Sequence, residues 1–105
     1  MTGLYPHVSG VKQLIQGPEA EQLSLDPSIW TLARGLKEMG YETAASRKWH
    51  LSTAGPTAHD FEQAFEDRSN YLTQTVDFLS QDHTQPWFLY FCPTHTHRAF
   101  KRNPQ

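Results

Sequence analysis

Two short stretches hold the residues of this chain best suited to chemistry. The first is Ser46-Arg47-Lys48-Trp49-His50-Leu51-Ser52. Lys48 is a compact positive charge, and His50 follows two residues on. On an extended backbone both side chains point the same way, so the pair could hold an anion with tetrahedral oxygens. The alternative is a solvated Lys48 and a His50 that packs through a hydrogen bond. The second stretch is Thr94-His95-Thr96-His97-Arg98. His95 and His97 could ligate zinc, but a stable site needs further ligands, and the other candidates, His59 and Asp60, have no diagnostic spacing. A histidine there suits general acid or base work better, because its ordinary pKa favours proton transfer near neutrality. The single cysteine, Cys92, sits in an apolar run before Pro93 and reads as a buried, inert thiol. Ser46, Ser52 and Ser69 lack the strand-turn-helix context of an activated serine.

Strand ends are what would bring the two stretches together. Residues 1–27 are punctuated by Gly3, Pro6, Gly10, Gly17, Pro18 and Pro27 and read as loop with a short turn of helix. Asp26 then Pro27 resembles an N-cap and first helical position, and Ile29, Leu32, Ala33, Leu36 and Met39 follow at helical spacing before Gly40. A helix is therefore expected over about 27–39 and a short buried strand over 41–46. Residues 61–70 are ambiguous, with Phe61 and Phe65 spaced for a helix. From Ser69 the run Leu72, Thr75, Val76 and Leu79 is amphipathic, and Trp87-Phe88-Leu89-Tyr90-Phe91-Cys92 between prolines reads as a strand covered on both faces. Helix, strand, helix, strand predicts an α/β fold with a parallel sheet. Ligands of such sheets bind beyond the carboxyl ends of the strands, which would deliver Lys48, His50, His95, His97 and Arg98 to one crevice. Trp30 falls off the apolar stripe and receives no role.

Composition narrows the partners. The 105 residues form at most one domain. Net charge is -2, and the basic residues are scattered apart from a group at His97, Arg98, Lys101 and Arg102, so neither nucleic acid nor a membrane surface is the expected partner. One cysteine permits no internal disulfide. The opening residues lack the pattern of a signal peptide, and the longest apolar run is too short to span a bilayer. Mean hydropathy is -0.65 with many prolines and glycines, yet the 12% aromatic content is too high for a disordered chain.

Three segments in order resemble the sulfatase family. They are Met-Thr-Gly-Leu-Tyr-Pro-His at 1–7, the run from Thr31 to Ser52 that includes Gly40-Tyr41-Glu42-Thr43-Ala44, and the run from Gln85 to Phe100. The resemblance covers nearly the whole chain and implies an alkaline-phosphatase-like α/β fold. The middle segment is similar to a family signature of Gly-Tyr-x-Thr-Ala followed by Gly-Lys-Trp-His-Leu-Gly. By that likeness Lys48 would bind sulfate oxygens and His50 would lie near the nucleophile. His97 would hold the sulfate and help protonate the leaving group, with Arg98 beside it in the substrate site. The spacing of the segments is closest to the heparan N-sulfatase (sulfamidase) branch. The implied substrate is a sulfated small molecule or glycan, and intact relatives carry calcium and a formylglycine. Such relatives are often periplasmic, secreted or lysosomal.

The departures from the pattern are specific. The Cys-x-Pro-Ser-Arg motif that yields formylglycine is missing, and Cys92 cannot stand in for it because the residues around it differ. The aspartates that bind calcium in the family are missing as well. Arg47 stands where the signature has glycine, and Ala99 where the loop usually has proline. The chain is accordingly expected to be an internal part of a sulfatase domain, with no cofactor of its own and inactive alone. The alternative is a non-catalytic module that binds sulfate or sulfated glycan through Lys48, His50, His97 and Arg98. A partial sheet should also expose its edges and self-associate through them.

Overall fold

The computed structural model describes residues 1–13 and 15–94. His95, His97, Arg98 and Ala99, and with them the second half of the expected crevice, lie outside the described residues.

The sheet is built around a strand of small residues. β1 (Glu42–Arg47) pairs in parallel with β2 (Gln63–Phe65) on one side and β3 (Trp87–Cys92) on the other, giving the order β2-β1-β3. Thr43, Ala44, Ala45 and Ser46 are all buried. Their small side chains let helices approach both faces, and the burial on both sides matches a central parallel strand. On one face Ala45 meets Ala33 of α3 (Leu32–Glu38) and Phe61, with Trp49, Phe88 and Tyr90 packed around them. On the other face the Ser46 hydroxyl lies 2.6 Å from that of Thr75 in α4 (Tyr71–Ser80), and Phe78 of the same helix packs on Phe65 and edge-on against Trp87. The fold is thus α/β, a small parallel sheet flanked by helices.

α3 starts later than the sequence suggests. Its N-cap is Thr31, whose hydroxyl accepts from the Arg34 N–H at 3.2 Å. Asp26 instead closes a turn, accepting the Ser28 N–H on its carboxylate at 2.8 Å and the Ile29 N–H on its carbonyl at 3.0 Å. Asp-Pro starts turns as readily as helices, and here the side-chain bond favours the turn. Arg34 locks the arrangement. It donates to the carbonyls of Pro27 and Ser28, and its Nε bonds the Asp60 carboxylate at 2.8 Å. Gly40 ends the helix as expected, in the left-handed conformation that glycine adopts without strain.

The stretch left ambiguous by the sequence is resolved, and two expectations are corrected. Residues 63–65 form a strand in which Phe65 packs against α4, while Phe61, just before it, lies in the cluster under α3. β3 is an edge strand among the described residues rather than one covered on both faces, leaving Trp87 43% and Phe91 44% exposed. α4 buries Tyr71, Thr75 and Phe78 and leaves Leu72, Val76 and Leu79 exposed, so its true inner stripe lies beside the one the apolar residues outline. Before β1 the chain forms α1 (Pro6–Ser9), a 3-10 turn at Gly17–Glu19 and α2 (Ala20–Leu23). No helix among the described residues is long and apolar enough to cross a membrane.

Candidate functional site at the end of the central strand

Beyond the carboxyl end of β1 the chain stays beside β3. Arg47 is in register with Cys92, and the Lys48 N–H donates to the Cys92 carbonyl at 3.1 Å. The next residues are pinned as well. Leu25 N–H donates to the Leu51 carbonyl at 2.7 Å, and Thr53 N–H to the Ser24 hydroxyl at 3.0 Å. Residues 48–53 are thus a tethered segment at the edge where an open parallel sheet binds ligands.

Within that segment exposure alternates. Lys48 is exposed, Trp49 is packed inward and His50 is exposed. The Lys48 ammonium makes no hydrogen bond or ion pair among the described residues, so its charge is open to an anion. His50 is more constrained than its spacing suggests. Its Nε2 lies 2.8 Å from the Ile15 carbonyl. A carbonyl only accepts, so Nε2 carries the proton, and Nδ1 is left as an acceptor in the neutral ring. His50 can donate to a sulfate oxygen only after Nδ1 gains a proton. The arrangement found here is thus the alternative one, a solvated Lys48 beside a hydrogen-bonded His50.

Arg47 adopts φ of 70°, in the left-handed region that favours glycine. Its guanidinium leaves the strand end, donating to the Glu66 carbonyl at 3.2 Å and lying 5.9 Å above the Tyr71 ring. The charge of Arg47 is therefore directed to α4 and the loop before it.

Inward, Trp49 makes edge contacts with Phe61 at 5.9 Å and Tyr90 at 6.5 Å and lies tilted on His59 at 5.3 Å between ring centroids. His59 is 1% exposed. Burial, the largest influence, pushes it below the ordinary histidine value, so the ring is held neutral. Neither of its nitrogens nor the Trp49 indole nitrogen has a hydrogen-bond partner among the described residues. Sequence reasoning considered His59 only as a weak metal ligand. Nothing in its spacing marks it as the floor under Trp49. Burial, followed by a bond and charge from Cys92, pushes the Tyr90 hydroxyl up to about 12, which keeps that side of the floor uncharged too.

The described residues bring together no group of three or more histidine, cysteine, aspartate or glutamate side chains able to hold a metal. Asp60, one of the carboxylates near the segment, is already paired with Arg34. Cys92, in the edge strand, has none of the sequence context of a formylglycine precursor. An open cavity of about 660 Å³ adjoins Ser52, Thr53 and Ala54, but Glu21 and Asp26 on its wall disfavour an anion.

No family model, no curated protein and no solved structure matches the chain.

Proposed function

We propose that this segment is the sulfate-binding part of a sulfatase-type domain in the alkaline-phosphatase-like superfamily, with Lys48 the residue that holds the sulfate oxygens. The observation that carries the reading is the backbone at Arg47. It adopts φ of 70°, the conformation glycine favours, at the one position of the Arg47-Lys48-Trp49-His50 run where the family pattern has glycine. The backbone there adopts the geometry that glycine favours although the residue is arginine. Lys48 then projects from the end of the central strand with its charge unpaired among the described residues.

In relatives of that kind a hydrated formylglycine attacks the sulfur of a sulfate ester or sulfamate, and nearby cations stabilise the charge that develops on the transferred group. The residues here would supply Lys48, His50 once protonated at Nδ1, and His97 to such a site, with Arg98 as a further contact. They contain no nucleophile in a recognisable motif. The function assigned to them is recognition of a sulfated small molecule or glycan, and turnover requires groups they do not supply. A second reading, a module that binds sulfate without ever turning it over, is favoured by the engagement of His50 with the Ile15 carbonyl, which costs that ring its donor role while neutral.

Calorimetric titration with sodium sulfate at constant ionic strength tests the proposal. Replacing Lys48 by Ala removes a hydrogen bond from a charged donor, worth about 1.5–3 kcal/mol, so the dissociation constant should weaken by roughly ten-fold or more. Binding that is absent in the natural chain, or unchanged in Lys48→Ala, overturns it.

A further inference from the structure

Trp49 lies between exposed Lys48 and His50 in the proposed anion segment and packs inward against the core cluster. We infer that Trp49 is a positioning residue for Lys48, its indole clamped on the His59, Phe61 and Tyr90 rings so that the lysine is held facing solvent at the sheet edge. The inference rests on the sulfate-binding reading given above.

The geometry supports a clamp rather than incidental packing. The backbone is held at Lys48 by the Cys92 carbonyl and next at Leu51 by the Leu25 N–H, so residues 49 and 50 bridge the two tethers. In that span the His50 ring bonds the Ile15 carbonyl, on the segment before α2, whereas Trp49 packs into the sheet core. The three rings under the indole come from different elements. Tyr90 belongs to β3, His59 to the 3-10 turn at Pro56–His59, and Phe61 to the segment leading into β2. Edge-on and tilted aromatic contacts of this kind fix orientation as well as burying area. A neutral His59 suits the floor, since a charged ring there would sit unsatisfied against the indole. If residues 48–50 rotate, the side chain that leaves the core takes Lys48 with it, because neighbours on an extended chain face opposite sides.

The test is a mutant cycle read by sodium sulfate titration of the full chain. Trp49→Phe keeps an aromatic ring on Phe61 and Tyr90 and should leave the dissociation constant within about three-fold of the natural chain. Trp49→Ala should weaken it about ten-fold. In a Lys48→Ala background, Trp49→Ala should add no further loss, because the indole acts through the lysine. A residue that only stabilises the fold would lower the unfolding midpoint but leave the affinity of the folded protein unchanged. Should Trp49→Ala fail to fold, Trp49→Leu takes its place in the cycle. Normal sulfate affinity in the folded Trp49→Ala or Trp49→Leu protein, or equal losses in both backgrounds, overturns the positioning role. If Lys48→Ala alone has no effect, it is the sulfate-binding reading that fails, so the two failures are distinguishable.

Discussion

Replacing Arg47 should reverse the usual ranking of alanine over glycine. At φ of 70° a side chain beyond Cα crowds the following carbonyl, which costs about 1–2 kcal/mol. Glycine removes that strain but leaves the unfolded chain more freedom, a loss of roughly 0.5–1 kcal/mol. Both Arg47→Gly and Arg47→Ala lose the bond to the Glu66 carbonyl and the contact over Tyr71, so these effects cancel when the two variants are compared. The glycine variant should therefore be more stable than the alanine variant by roughly 0.5–1 kcal/mol. For a chain of this size that is about 3–6 °C in unfolding midpoint. At an ordinary strand position glycine would instead be the less stable of the pair. Thermal unfolding followed by far-ultraviolet circular dichroism, checked by urea unfolding, measures the difference. An alanine variant as stable as the glycine variant, or more so, would refute the reasoning, and with it the backbone argument that links this strand end to a glycine-bearing pattern.

Other consequences follow from side chains with defined partners. Thr31→Ala removes the cap of α3 and should cost about 1 kcal/mol in urea unfolding, whereas Asp26→Ala, if Asp26 only closes a turn, should cost less. His83 donates Nδ1–H to the Glu42 carboxylate at 2.5 Å and Nε2–H to the Phe78 carbonyl at 2.6 Å, so both nitrogens carry protons and the Glu42 bond raises its pKa above the ordinary value. A raised folded-state pKa stabilises the fold fully below the unfolded value, about 6.5, and the benefit is lost as pH rises through the folded value. The unfolding midpoint of the natural chain should therefore exceed that of His83→Gln most at acidic pH, with the gap closing as pH rises; a gap that widens instead would contradict the pairing. The exposed Trp87 and Phe91 on edge strand β3 and the Leu72, Val76 and Leu79 stripe on α4 should drive self-association detectable by light scattering. Phe91→Lys should shift the protein toward monomer, and a monodisperse natural monomer would count against an open edge.

The sequence disclosed the parts of the fold where one physical signal dominates. Gly40 at the end of a helical pattern, the short run with Tyr41 and Thr43 after it, and the apolar run of β3 gave the helix-strand order and the parallel sheet, and with it the place of Lys48. Where two signals compete, the pattern misled. Asp26-Pro27 satisfies both a helix start and a turn, and the choice was made by Arg34, which reaches back to the Pro27 and Ser28 carbonyls across several residues. Phe61 and Phe65 are four apart, the spacing of one helix face, yet Phe65 ends a three-residue strand too short to show alternation and Phe61, before it, packs on the opposite side of the sheet. On α4 the buried stripe runs through Tyr71, Thr75 and Phe78, of which the expected run held only Thr75, and the pairing of its hydroxyl with Ser46 far along the chain leaves no trace in apolar spacing. The site followed the same rule. Exposed Lys48 was legible from type and position, whereas the tether of His50 to Ile15 and the floor formed by His59 depend on contacts between residues distant in sequence.

The sulfate-binding account is tested most directly by following backbone amide resonances of the isotopically labelled chain while sodium sulfate replaces sodium chloride at constant ionic strength. The account predicts saturable shifts centred on the Lys48, Trp49 and His50 amides that disappear in Lys48→Ala. Shifts centred elsewhere, at Lys12 or Arg68 for example, or no shift beyond that produced by chloride, would contradict it.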